Sequence, residues 1–387
     1  MGGCCDKQKF STAKLSKSSD KQWPQVCSDH HGGINCLAIS CDGRTVATGS
    51  DDCMGRVWRL DQSSGTVVSS HVLEGHQKYI RCVAIECDHV LTGSADGTVR
   101  KWNVGSGQCM HVYKGHTGAV NRLVCTKEFI FTSSLDSTVR CWQLDTTKRM
   151  EGTDEHFCVK VYQGHDKAVF PIVYIPAHVG SRLCDEDDEQ QEQERERRAE
   201  KVISGSADCT ARAWSVSDGR CLTRFVGHSG PLQCLSVDQY GQVLFTGSAD
   251  RTIRSWDLQR GGEALRVFDG HEREVLTLLA INRMLYSGSA DGTIRAWVTD
   301  FGDCVRTVKV QSGGIGCMVY DNGLLFTGSG DGTARAYDIR TGSVKFTFKG
   351  HEKAINCLKV ANGKLLTGSA DATLRIWSIE TRGRKNV

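Results

Sequence analysis

A unit of the form Ser/Thr-Gly/Ser-Ser-x-Asp-x-x-x-Arg-x-Trp returns along the 387 residues, as in TGSADGTVRKW ending at Trp102 and TGSADRTIRSW ending at Trp256. Its Asp falls at Asp52, Asp96, Asp136, Asp208, Asp250, Asp291, Asp331 and Asp371, with gaps of 44, 40, 72, 42, 41, 40 and 40. One period near 40 therefore runs through eight units, interrupted only between the third and fourth. Such a period marks an array of small supersecondary units, so length alone does not imply two or three separate domains. About twenty residues before each Asp stands Gly-His or a relative of it, at His30, His76, His116, His165, His228, His271, Gln311 and His351, with only the fourth unit longer.

Between each His and its Trp lie three short alternating or apolar runs, such as AVNRLV, FIFTSS and TVRCW, and a fourth such as CMHVY follows the Trp. Four strands per unit follow. A four-stranded sheet cannot bury both faces alone, and radial stacking of such sheets covers each face with a neighbour. Forty-two Gly against 4 Pro suits many tight turns, and no apolar run approaches the length of a membrane-spanning helix. After Trp377 only the polar stub SIETRGRKNV remains, so the last unit lacks its outer strand. Trp23 to Cys27 stand where fourth strands stand relative to the next His. The reading is an all-β propeller of eight four-stranded blades over residues 22–387, its ring closed by an N-terminal strand.

Gly-His, an Asp in a tight turn and Trp-Asp, literal at Trp256-Asp257, resemble the WD-repeat family over most of the chain. The resemblance implies a buried hydrogen-bonded tetrad in each blade, joining the imidazole, the turn Asp, a strand hydroxyl and the Trp indole. The sets are His30, Asp52 and Trp58; His76, Asp96 and Trp102; His116, Asp136 and Trp142; His165, Asp208 and Trp214; His228, Asp250 and Trp256; His271, Asp291 and Trp297; and His351, Asp371 and Trp377. The hydroxyl is the Ser/Thr four before the Asp, or the Ser two before it, which lies on the same strand face. The seventh unit departs twice, with Gln311 for His and Tyr337 for Trp, and is expected to be the loosest.

By the same resemblance, ligands bind the face carrying the Gly-His loops, where Tyr79, Arg81, Asn121, Phe170 and Glu274 are the candidate partner-binding residues. LFTGSGDGTARAYDIR, from Leu325 to Arg340, resembles the box by which WD proteins dock on adaptors of cullin-type ubiquitin ligases, with Arg340 as the docking residue. A ligase substrate receptor is therefore the alternative to a general protein-interaction scaffold.

Other features read as structural. Cys36, Cys82, Cys234, Cys317 and Cys357 fall six after their blade's His or Gln311, and Cys109, Cys158, Cys221 and Cys304 fall seven before it. Such equivalence suits small packing residues better than a metal or disulfide framework. The Arg two before each Trp or Tyr reads as a strand residue packed along its blade, not as one of a ring of phosphate ligands. No Ser-His-Asp set or carboxylate pair stands outside the tetrads, so the chain is read as a non-enzyme without cofactor or metal. A formal charge of +3 argues against nucleic acid, leaving other proteins as the partners of a monomeric propeller.

Two segments lie outside the repeat. HVGSRLCDEDDEQQEQERERRAEK, residues 178–201, is an acidic insertion between the first and second strands of the fourth unit. Residues 1–21 are basic and expected to be disordered, and Gly2 with Cys4 and Cys5 ahead of several Lys resembles a myristoylation site joined to palmitoylation. Two such signals would hold a cytoplasmic protein at a membrane surface.

Overall fold

The structure, a computed structural model, describes residues 24–61, 66–147, 157–177, 199–309 and 313–379. Among them, 32 strands, labelled in chain order, form eight four-stranded antiparallel sheets, and there is no helix. The first sheet runs β2 (Ile34–Ile39), β3 (Thr45–Ser50), β4 (Gly55–Leu60) and β5 (Val67–Leu73), from inner to outer strand. Each later blade repeats this meander, so the eight-bladed propeller expected from the repeat is the fold.

Second strands are buried along nearly their whole length, as the pattern over β3 shows, because neighbouring blades cover both faces of each sheet. Their small-residue run T-G-S is a packing requirement. A Cβ on Gly49 would stand 2.4 Å from Ile80 Cγ2 of the next blade and 2.8 Å from Cys36 Sγ. Ile80 is fully buried in that notch, a burial that stabilises by roughly 1.5–3 kcal/mol. The core is accordingly divided among blade junctions, with Ala47, Val57, Leu73, Val90, Trp102 and Val104 clustered between the first two blades.

Polar stitches reinforce the junctions at both ends. Asn35, Asn121 and Asn356 each donate from Nδ2 to the carbonyl of Ile80, Val169 and Ile34 on the following blade. On the opposite face Lys101 donates to Leu144 O, Lys160 to Val216 O, and Arg306 to the carbonyls of Ile339 and Arg340.

The ring closes as expected. Strand β1 (Gln25–Cys27) pairs antiparallel with β32 (Leu374–Ser378), in the register Gln25 to Ile376, Val26 to Arg375 and Cys27 to Leu374. Cys27 shares one cluster with Ile34, Trp58, Leu374 and Ile376, so closure buries apolar surface as well as pairing an edge. Trp23 lies outside the described residues, as do residues 1–21.

The acidic insertion joins β14 (Val169–Ile175) to β15 (Lys201–Ser206), at the end of the strands opposite the Gly-His loops. Its residues 178–198 lie outside the described ones, whereas Lys201 is a buried member of the sheet. The insertion therefore ends before Lys201, since Lys201 registers with Ile175 across the pair.

Candidate functional site

Seven blades share one polar geometry. His Nδ1 lies 2.7–2.8 Å from the turn Asp Oδ2, at His30, His76, His116, His165, His228, His271 and His351. Nε2 lies 2.7–2.9 Å from the hydroxyl of Thr48, Thr92, Thr132, Ser204, Thr246, Ser287 and Thr367 respectively. The indole Nε1 of Trp58, Trp102, Trp142, Trp214, Trp256, Trp297 and Trp377 donates to the same hydroxyl at 2.8–3.0 Å. Proton counting fixes the tautomer: the indole donates to the oxygen, the hydroxyl donates to Nε2, and Nδ1–H donates to the carboxylate.

The hydroxyl is thus the one four before the Asp. The Ser two before has another task, since Ser94 Oγ accepts from Asp96 N and donates to the carbonyls of Lys78 and Tyr79, tying the turn to the Gly-His loop. A further member escaped the sequence reading. Two residues after the Asp, the hydroxyl of Thr98, Thr138, Thr210, Thr252, Thr293 and Thr373 donates to the second carboxylate oxygen at 2.6–2.7 Å. The signal was an Asp-x-Thr repeat, absent only in the first blade, where Met54 stands.

Burial raises the carboxyls of Asp208, Asp291 and Asp371, but donors from Thr, His and backbone N–H outweigh it and hold them at about 2. Burial also pushes His30, His116, His165, His271 and His351 below the ordinary value of 6.5, against the pull of their Asp partners. Every tetrad acid and base is consumed inside its blade.

The glycine of Gly-His has its own cause. At Gly75 the backbone is at φ +154, and a Cβ would come 2.5 Å from Arg100 Nη1, whose guanidinium lies over Trp102 at 5.9 Å. The recurring Arg thus packs along its Trp, as read from the sequence. In the first blade Asp29 replaces this glycine and its carbonyl accepts from Arg56 at 2.8 Å.

The seventh blade is wired differently. Gln311 lies outside the described residues. Tyr337 is buried, and Arg335 swings to Asp331, 3.5 Å away, while remaining only 7% exposed. Its charge meets the carboxylate that imidazole meets elsewhere. A cavity of about 20 Å³ lies beside Tyr337, lined by Tyr286, Ile294, Leu325 and Ile339, where a Trp would reach further.

Of the candidate partner-binding residues, Tyr79 is 41% exposed with the Arg81 guanidinium 5.9 Å from its ring, and Glu274 is exposed. Phe170 is half-buried. Asn121 does not belong with them: it is 1% exposed, and its amide donates to Val169 O at 2.6 Å. Arg340 is exposed at the opposite face, its backbone N–H held by Asp338. Gly2, Cys4 and Cys5 lie outside the described residues.

The inner thiols pack as small residues, but Cys109, Cys221 and Cys304 on outer strands are exposed. Equivalence along the repeat reported a shared strand position there and not a shared burial. Among the described residues no group of three or more His, Cys, Asp or Glu is arranged to hold a metal.

The family described as WD domain, G-beta repeat, matches residues 22–59, 67–103, 107–143, 219–257, 262–297, 302–338 and 342–378. The chain belongs to the WD40 repeat family. The interrupted fourth unit lies outside these matches, yet it forms a full blade with the tetrad of His165, Ser204, Asp208 and Trp214.

Human WD repeat-containing protein 86 is 39% identical over 68 residues, covering 18% of this chain and 17% of that protein. The ribosome biogenesis protein WDR12 homolog of Drosophila erecta is 30% identical over 100 residues, covering 22% and 24%. The chain thus spans less than a quarter of the length of these relatives. Among solved structures, the computationally designed Ika8 protein matches with TM-score 0.74 and 25% identity over 91% of this chain and 98% of its own. Saccharomyces cerevisiae Sqt1 matches with TM-score 0.76 over 92% and 98%, and at 16% identity shares the fold alone.

Proposed function

We propose that this propeller is a non-catalytic scaffold that binds other proteins through the face carrying the Gly-His loops. The observation that carries the reading is the exposed Tyr79 stacked with Arg81 on that face, beside tetrads whose acids and bases are already spent. Aromatic and Arg side chains are the usual anchors of protein interfaces. Affinity purification from native cells, comparing wild type with Tyr79→Ala/Arg81→Ala, tests it. Partners lost from the double variant are expected, and a wild type with no reproducible partner refutes the reading.

A second reading, a ligase substrate receptor, is favoured by Arg340, exposed at the other face. Arg340→Ala should then lose a cullin-ligase adaptor that wild type recovers, and equal recovery removes this reading. Cytoplasmic residence with membrane attachment through Gly2, Cys4 and Cys5 belongs to the same proposal. Gly2→Ala should shift the protein from membrane to soluble fraction, and unchanged partition refutes it.

A further inference from the structure

The position six after the blade histidine is a packing position. Cys36, Cys82, Cys234, Cys317 and Cys357 occupy it in five blades, each beside the T-G-S glycine, where a Cβ would stand only 2.5–2.8 Å from the sulfur. Pro171 and Thr277 fill it in two more. The third blade alone places a charge there, Arg122. Its register partner changes with it: Ser133 replaces the glycine, and its hydroxyl donates to Phe170 O of the next blade at 2.7 Å. The notch is thereby filled without Arg122.

Arg122 is instead exposed on the channel wall, with one Nη1 bond to Asn121 O and, among the described residues, no carboxylate partner. Its position in the channel is felt on other blades. Burial raises the thiols of Cys36, Cys82 and Cys357, and the positive charge of Arg122 opposes that rise at all three. The eight inner strands carry five charged residues, Arg81, Glu86, Arg122, Asp321 and Lys359, and both acids are the last residues of their strands, at the far rim. Along its strands the channel between is therefore positive, and at the Gly-His mouth the Asp51 carboxylate of the first blade accepts from Asn35 Nδ2 at 2.7 Å.

The seventh blade stands directly across an eight-membered ring from the third. Five after its Gln311 comes Gly316, where other blades have Asn, Arg, Phe, Gln or Leu. A Cβ there would meet nothing within 4 Å, and no left-handed φ demands glycine. Gly330, one before Asp331, likewise meets no atom closer than 3.5 Å, and other blades carry Ala, Leu or Asp at that place. A strand glycine that the fold does not require suits close approach by another chain.

We propose that the channel mouth is an anion site, in which Arg122 takes an aspartate or glutamate side chain of a partner protein whose backbone crosses the seventh blade over Gly316 and Gly330. The planar guanidinium matches a carboxylate in bidentate fashion. The bare glycine shelf favours a polypeptide over a small phosphate, which needs no shelf. This inference rests on the scaffold reading and names the partner chemistry of its binding face.

The test uses the full chain and a fluorescein-labelled glycine-serine dodecapeptide with four central glutamates, read by anisotropy, beside the same peptide with glutamines. Saturable binding of the glutamate peptide is expected, lowered about tenfold or more by Arg122→Ala and by Gly316→Trp, with unchanged melting temperatures. Arg122→Gln replaces Arg122→Ala should the latter melt lower. No binding to wild type, equal binding to the Arg122 variant, or displacement by equimolar inorganic phosphate or single-stranded RNA overturns the proposal. Purification of wild type and Arg122→Glu from native cells separates the two levels. Partners that survive Arg122→Glu sink this site and leave the scaffold, whereas no partners in either sink the scaffold itself.

Discussion

Replacing Asp96 by Ala removes one side chain and strands several donors. Asp96 accepts from His76 Nδ1 at 2.8 Å, Gln77 N at 3.0 Å, Thr98 N at 2.8 Å and Thr98 Oγ1 at 2.6 Å. The Gln77 amide lies at the surface and is rehydrated at little cost. The imidazole, whose side chain is 0% exposed, cannot be, and a buried orphan of that kind costs about 1–3 kcal/mol. The two Thr98 donors are partly buried and add about 1 kcal/mol between them. The loss should therefore come to about 3 kcal/mol, a population change of over a hundredfold. Asp96→Asn keeps an acceptor for the imidazole and should lose about half as much. Urea unfolding measures the change, and amide exchange over residues 76–113 shows whether it is confined to the second blade. A loss under about 1 kcal/mol for Asp96→Ala would refute the claim that the carboxylate organises the blade.

Acid should destabilise the protein in two stages. The five depressed histidines bind protons in the unfolded chain first, so melting temperature should begin to fall below pH 6.5, and the carboxylates held at about 2 in the fold against 3.8 unfolded should steepen the fall below pH 3.8. A melting temperature flat from pH 7 to 4 contradicts this. The seventh blade, with a 3.5 Å ion pair in place of imidazole bonds, should exchange amides across 315–339 faster than the second does across 80–103. Slower exchange there would mean that Arg335 and Asp331 hold the blade as firmly as a tetrad. Gly75→Ala forces a Cβ onto Arg100 at φ +154 and should cost about 1–3 kcal/mol by thermal melting, against no more than a few tenths if the loop yields freely. Deleting residues 2–20 should leave the melting temperature unchanged, whereas deleting 2–28 removes β1 and should lower it; equal melting of the two would show that β1 does not seal the ring.

Blade number, strand order and closure were legible because the repeat places the same residue types at the same offsets eight times, and only one architecture buries so many small sheets. The choice of tetrad hydroxyl was not, since Thr92 and Ser94 lie on one strand face and only their distances separate them. Asn121 misled for a related reason. Its offset matches Gln233 and Asn356, which are exposed, and Asn356 donates to a neighbouring carbonyl just as Asn121 does, so neither the offset nor the amide bond separates the buried Asn from the exposed one. Arg335 shows a third limit: identical in sequence to seven other arginines, it changes partner because its surroundings changed.

Closure also has a history. Ile34 O accepts from Asn356 across a sequence separation of 322, and β1 meets β32 over a longer span still. During synthesis, the first blade therefore waits with Ile34 and its inner face uncovered until the last blade emerges, and joining them is the slowest kind of contact to make. At high concentration, the open edge of β32 in one molecule is equally complementary to β1 of another, so a refolding mixture should contain strand-exchanged dimers alongside closed rings.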